Sequence, residues 1–526
     1  MENNQKEVDT SLKLIAKTAT ILLVCLIFGK LLVYVYRVII ARYFGAETYG
    51  LYSLAIMVTA WFSLIASLGF SESLTRYLPL LIGKKKTESA RYLFKFSIKI
   101  LTFSSILLGI LLFLLSELIA INIFHNENLI IYLKFFSLAI PLIVLGTPFN
   151  AALRSYGKTT WQALVGYVFH NVANVVLIII LLSLQLNTTA IILSYLFGFF
   201  VTFVCSYSIS RYLLPELYQK NFLEKKQKKI LNSEFIKYSL PLLLASFVGV
   251  FYSWVDSFSL GYLKTAVEVG LYNAAMPIAL LLGIAPELFM QLFFPLINKE
   301  YAKNNFYAIK ELSKQVNKWI FIINIPAMVL IFTFPEIVIN LLFGPEYLGA
   351  STALRLLSLS SFLLSAFVPV SRKIIQMKGK SHIFLYDVIF AGVLNLTLNI
   401  LFIPLPKIWI MENASGINGA ALATLISSAV MSVVYTVEAG HYISATPFRR
   451  KIINISISAL ILGGILFFIK QFFIINLLNT IILSLFFLLI YIAVIFFTGC
   501  LDKNDLLIVS SFKEKIKALK KIVLIS

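Results

Sequence analysis

The sequence predicts an all-α, polytopic membrane protein. It is expected to have about fourteen transmembrane helices, as two parallel six-helix repeats forming an N-lobe and a C-lobe around a central cleft, plus two extra C-terminal helices. Three observations carry this. Of the 526 residues 60% are apolar and 13% charged, against about 45–50% and about 25% in soluble domains. Apolar stretches of about twenty residues, each long enough to cross about 30 Å of hydrocarbon, recur from end to end. Basic residues concentrate in every second connection. So much apolar surface needs lipid, which excludes a soluble enzyme, a disordered chain and a disulfide-stapled secreted domain.

The net charge is +21, from 45 Lys and Arg against 24 Asp and Glu. In a soluble protein that excess would point to nucleic acid. Here it belongs to inner loops, and no nucleic-acid partner is expected. Cys25, Cys205 and Cys500 lie far apart, in or beside apolar runs. They match no metal spacing, so neither metal nor cofactor is expected. The polar start MENNQKEVDT is followed by an apolar run without a small-residue cleavage site, so the first span is read as retained.

In order, the spans are expected near 14–40, 49–69, 94–116, 129–152, 160–184, 189–213, 237–262, 270–297, 317–343, 350–370, 383–404, 415–440, 450–472 and 475–500. One set of connections holds Lys84-Lys85-Lys86 and Arg91, then Arg154 and Lys158, then Lys220 to Lys229. It continues with Lys299 to Lys314, Arg372 to Lys380 and Arg449-Arg450-Lys451. The intervening connections hold only Arg42, Lys264, Lys407 and Lys470. This alternation fits an even number of spans with both termini in the cytoplasm. Two glycosylation patterns, Asn187-Thr188-Thr189 and Asn413-Ala414-Ser415, fall in predicted outer loops.

The halves resemble each other at an offset near 220. Gly50-Leu51-Tyr52-Ser53-Leu54-Ala55 opens span two and Gly270-Leu271-Tyr272-Asn273-Ala274-Ala275 opens span eight; Gly157-Lys158 echoes Gly379-Lys380. The expected organisation is an N-lobe at 1–214, a cytoplasmic basic linker at 215–236 and a C-lobe at 237–445. Helices thirteen and fourteen follow at 446–500, then a basic amphipathic tail at 501–526 on the inner membrane surface. An even-numbered repeat keeps one orientation, a transporter architecture with substrate between lobes and access alternating by rocking.

The runs ARYFGAETYGLYSLA and SLGFSESLTRYLP resemble the N-terminal lobe of polysaccharide and oligosaccharide flippases. VDSFSLGYLKTAVEVGLYNAAMPIALLLGIAPELFMQLFFPLI resembles their second lobe. The resemblance covers nearly the whole chain and places it in the multidrug/oligosaccharidyl-lipid/polysaccharide exporter superfamily. It implies movement of a polyprenyl-(pyro)phosphate-linked oligosaccharide from the cytoplasmic to the outer leaflet, for surface polysaccharide or glycan assembly. The implied partners are that glycan, membrane lipids, a coupling H+ or Na+, and glycosyltransferases or a polymerase of the same pathway. One alternative is a cation-coupled multidrug exporter of the same fold, disfavoured by arginines within spans. A second is a membrane glycan polymerase or ligase, disfavoured by short outer loops, so no enzyme is expected. No Gly-rich phosphate loop appears, and energy is expected from a gradient or the membrane potential.

A charge within a span costs roughly 2.5–3.5 kcal/mol on insertion scales and usually faces a cavity or a partner. The candidate cleft cations are Arg37, Lys30, Arg76 and Arg355; the candidate ion-coupling or polar-cleft groups are Asp256, Glu287 and Glu72. Arg37 and Asp256 stand at equivalent repeat positions, by nearly the same offset. Either Arg37 meets a lipid phosphate and Asp256 an ion or a sugar hydroxyl, or the two form an ion pair fixing the closed state. Glu72 and Arg76 are spaced for an intrahelical pair, and Glu287 after Pro286 is a proton-site candidate. Asp387, near the end of its span, is expected to be hydrated. His170, Asn171 and Asn174, with Asn395 and Asn399 at corresponding places, suit interhelical hydrogen bonds or glycan recognition.

Overall fold

The computed structural model describes residues 2–220, 222–407, 416–443, 448, 451–474 and 476–500. The tail at 501–526, the Asn413-Ala414-Ser415 pattern and Arg449-Arg450 lie outside the described residues. The described residues form α-helices joined by short turns, with no strand among them. Among the described residues thirteen helical segments are long and apolar enough to cross a membrane. The first, Val24–Gly83, has 60 residues. At about 1.5 Å per residue it is roughly three times the hydrocarbon thickness. Its backbone leaves the helix at Gly45, with φ 79° and ψ 176°, so it makes two crossings and the total becomes the expected fourteen.

Glycine is required at that break because the left-handed region penalises a Cβ. The Ala46 amide, released from the helix ladder, donates to Glu346 Oε1 at 2.8 Å. Arg42 Nε donates to the Leu342 carbonyl at 2.8 Å, and the Tyr347 hydroxyl to the Ala41 carbonyl at 3.1 Å. Segment 342–347 is thereby pinned against residues 41–46, around the break between the first two spans.

The repeat has a physical signature one turn later. A Cβ on Gly50 would stand 1.8 Å from the Ala266 carbonyl oxygen, and one on Gly270 would stand 2.0 Å from that of Ala46. Two helices thus cross backbone to backbone through reciprocal Ala-x-x-x-Gly steps, the small-residue route to close approach. The reciprocity sets the offset here at 220. Carried upstream of the Gly45 break, that offset pairs Asp256 with Tyr36 and not with Arg37, and the contacts agree: Asp256 meets Tyr272 as Tyr36 meets Tyr52. The same duplication shows at two helix ends. Gly157 and Gly379 both have φ of 73°, and the following lysine amides bond back to Leu153 and Ile375 at 2.8 and 3.3 Å, as a glycine helix stop requires.

By contacts the chain divides into two compact units: Met1–Ala274 with Leu342–Tyr347 and Val388–Ala420, and Ala275–Leu341 with Leu348–Asp387 and Ala421–Ser526. In the first, Phe136 stacks on Tyr195 at 4.0 Å between centroids, and Tyr52 meets both rings edge-on. The segment expected as a linker is only partly extended. From Lys225 it is helical and continuous with the next span, as Lys225–Leu263. Lys95 Nζ holds the Gln219 carbonyl at 2.6 Å and Asn232 Nδ2 the Tyr92 hydroxyl at 3.0 Å.

In the second unit the last two helices, Lys451–Ile469 and Leu477–Phe497, enter the core. Ile455, Ala459, Phe487 and Tyr491 are buried with Phe321, Met328 and Val329. Lys318 and Lys451 donate to the Cys500 and Gly499 carbonyls at 3.4 and 2.7 Å, positive charge where a helix C-terminus favours it. Serines inside the apolar bundle close their hydroxyls on the preceding turn, as Ser97 on Leu93 and Ser313 on Ile309.

Candidate functional site

Asp256 anchors the most concentrated polar group among the described residues. It lies on Lys225–Leu263 and is only 7% exposed. Its Oδ1 accepts from Asn395 Nδ2 at 2.9 Å and from Asn399 Nδ2 at 2.8 Å. Its Oδ2 accepts the Tyr272 hydroxyl at 2.7 Å. The asparagines lie one helical turn apart on Ser381–Phe402, so both amides reach the same oxygen. The amide oxygens of Asn395 and Asn399 are buried and accept no hydrogen bond. A buried carboxylate with two unused amide oxygens beside it is a donor set of the kind that holds a hard cation or a proton. One turn around, Asn273 Nδ2 donates to Ser257 Oγ at 2.9 Å and extends the polar strip.

Arg37 lies half-buried on the first span. Its guanidinium hydrogen-bonds the Tyr49 hydroxyl and stands near Tyr34 and Tyr52. The Tyr49 hydroxyl donates onward to the Asn273 carbonyl at 3.1 Å. The cation is thus held by a neutral hydroxyl, which engages its planar fork without neutralising it. Lys30, two turns earlier on the same helix, is exposed.

The other expected residues are dispersed. Arg76 is exposed and lies 4.3 Å over the Tyr238 ring; its contact is aromatic, with exposed Glu72 a turn away. Arg355 pairs with Glu336 in the second unit and also donates to the Phe332 carbonyl at 3.3 Å. Glu287, also in the second unit, lines a cavity of about 260 Å³ with Pro286, Met290, Ser361 and Pro369. His170 Nδ1 meets Thr202 Oγ1 at 3.1 Å, and its Nε2 meets Asn174 Nδ2 at 3.2 Å. That joins neighbouring helices, the interhelical bonding expected of such groups. Asn171 closes on the Tyr167 carbonyl at 2.7 Å. Asp387, expected to be hydrated, is instead buried at 7% exposure, because the helix Ile417–Ile443 covers it with Tyr435 and Glu438.

Sequence reasoning missed Tyr272, Tyr34, Tyr49 and Glu438. Tyr272 was in plain view inside the repeated Gly-Leu-Tyr motif; the paired tyrosines Tyr52 and Tyr272 were its signal. Nothing local marks Glu438, whose partner lies on another helix.

Comparisons with known proteins bear on the family and the fold. The sequence family described as "Polysaccharide biosynthesis protein" matches residues 15–300, and the MatE family matches residues 241–401. The chain is 28% identical over 313 residues to the "Probable low-salt glycan biosynthesis flippase Agl15" of Haloferax volcanii, covering 59% of this chain and 62% of that protein. It therefore spans less than two thirds of that relative. Among solved structures it is similar to the lipid II flippase MurJ in an inward closed conformation, with a TM-score of 0.70, 19% identity and coverage of 90% and 98% of the two chains. It is also similar to an inward-facing MATE-family transporter of the MOP superfamily, at TM-score 0.64, 16% identity and coverage of 79% and 94%. These likenesses show the fold. With more than half its length matched, the chain is a multi-pass membrane protein that belongs to the polysaccharide biosynthesis protein family.

Proposed function

We propose that the chain is a flippase moving a polyprenyl-(pyro)phosphate-linked oligosaccharide from the cytoplasmic to the outer leaflet by alternating access. The observation that carries this reading is Arg37 in a family of polysaccharide biosynthesis. It is an intramembrane guanidinium held on the Tyr49 hydroxyl, suited to two-pronged recognition of phosphate. Asp256 is the proposed coupling residue, taking H+ or Na+ beside the amide oxygens of Asn395 and Asn399. Lobes at 1–214 and 237–445 would rock about the linker at 215–236, with both termini cytoplasmic. The chain is read as performing no catalytic step. Glycosyltransferases would supply its substrate and a polymerase would consume the product.

A second reading, a cation-coupled multidrug exporter, is supported by the MatE match at 241–401. Arg37 separates the two, since an organic cation would be repelled where a phosphate is held. The test is glycan export in a strain lacking its own flippase, with membrane levels of each variant checked. Arg37→Ala should insert normally and export nothing. Arg37→Lys keeps the charge but loses the fork, and should export poorly. Parental export by Arg37→Ala would remove the phosphate reading. Drug resistance conferred by the parent chain would favour the exporter.

A further inference from the structure

We propose that Asp387 and Glu438 hold one proton between them, forming a proton-binding site in the second unit distinct from the Asp256 group. Asp387 lies on Ser381–Phe402, about two turns before Asn395, and Glu438 lies on Ile417–Ile443. The two carboxyl groups are within hydrogen-bonding reach of each other. Asp387 is 7% exposed. Asp387 Oδ2 and Glu438 Oε2 are both buried, and neither finds a donor in the surrounding protein. Ionised carboxyl oxygens only accept hydrogen bonds. Two of them can share a hydrogen bond in a water-poor interior only if one carries the proton. Like charges at such range do not both ionise, the situation of a carboxylate dyad.

The surroundings fit a singly charged pair. Tyr435, one turn before Glu438, hydrogen-bonds Asp387. Arg372, on Ser351–Met377, lies 3.6 Å over the Phe384 ring and close to Tyr435; its Nε is buried without an acceptor. Tyr435 is the other titratable group facing the pair, Arg372 stands behind it, and His441, a turn further on, is exposed. With one shared proton the pair carries one negative charge, and Arg372 is the nearby cation, one tyrosine ring away. Release of that proton to water breaks the bridging O–H bond and leaves two carboxylates facing each other. The strain falls on the contact between the segment ending at Asp387 and the helical turn that carries Tyr435 and Glu438. That makes the pair a protonation-dependent latch within the second unit. Only the use of the proton in transport rests on the flippase reading; its presence does not.

The test needs no glycan, so its failure is distinguishable from failure of the flippase reading. The purified full chain in lipid nanodiscs is followed by infrared difference spectroscopy from acid to alkaline pH. A protonated-carboxyl C=O band should be present at neutral pH and vanish on alkalinisation. In both Asp387→Asn and Glu438→Gln it should be absent at neutral pH, because the remaining carboxyl ionises once its neighbour is neutral. A band retained in both variants, or lost in one alone, overturns a shared proton. Unsubstituted protein with heavy-carbon carboxyls in aspartate, and separately in glutamate, guards against misfolded variants. Each label should shift part of the band; a band that is missing, or that shifts with one label or neither, overturns the proposal.

Discussion

In the first repeat, Tyr36 meets Tyr52 with ring centroids 6.0 Å apart, and its hydroxyl shares a 2.8 Å hydrogen bond with Ser194. In the second repeat, the same two posts are Asp256 and Tyr272, joined at 2.7 Å, and the further partners come from a different helix of the repeat: Asn395 and Asn399 on the eleventh span, where Ser194 is on the sixth. The offset of 220 that aligns these pairs is the one fixed by the Gly50 and Gly270 crossing. The backbone is duplicated while the chemistry diverges. One copy carries a neutral hydroxyl network; the other carries a charge. A buried carboxylate is tolerated only when donors surround it, and the second copy supplies three where the first needs one partner. The difference teaches that function in this chain is to be sought where the repeats disagree. Their agreement, at the glycines and tyrosines, marks the scaffold.

The sharpest way to break the comparison is Asp256→Asn. It keeps the shape and most hydrogen bonds but removes the charge. Glycan export should fall to background while the thermal midpoint of the purified protein moves little. Parental export would reduce Asp256 to a strut like its counterpart Tyr36.

Next in size are Gly50→Val and Gly270→Val. Each places a side chain within about 2 Å of a backbone carbonyl oxygen on the facing helix. Neither helix can move aside, so each should destabilise by about 3 kcal/mol, the upper end for overpacking. Thermal unfolding in detergent reads this. Two equal losses support a reciprocal crossing; a silent substitution at either site would undo the register that pairs Tyr36 with Asp256. Smallest is Tyr36→Phe. Loss of one buried hydroxyl bond to Ser194 should cost about 1 kcal/mol and leave export intact. Loss of export there would mean that the Tyr36 hydroxyl, and not only its neighbour Arg37, takes part in transport.

The legible part of this molecule was its one-dimensional part. Span lengths and hydropathy located the crossings, including the two merged in Val24–Gly83, because each depends on about twenty neighbouring residues. The missing piece there was local: a glycine in the left-handed region at Gly45 and its cap from Glu346, about three hundred residues away. The candidate site was half legible. Asp256, Asn395 and Asn399 stood out as polar groups in apolar spans, yet they had been assigned separate roles. Arg355 stood out for the same reason, and it closes on Glu336. Intramembrane charge marks a residue as having a partner without saying which.

What the sequence by itself determined is the solvent, the number and order of crossings, the alternation of basic loops and the duplication. Each is written in composition or short-range pattern, and lipid enforces it at every helix independently. What only the tertiary structure decided is which polar groups meet. Asp256 reaches Asn395 across 139 positions of chain, and Asp387 meets Glu438 on another helix. Such pairings depend on helix rotation and depth, set by packing such as the Gly50 and Gly270 crossing. A one-residue change of register turns a side chain by about 100° around its helix axis. That single step separates an arginine opposite an aspartate from the tyrosine that in fact occupies its place.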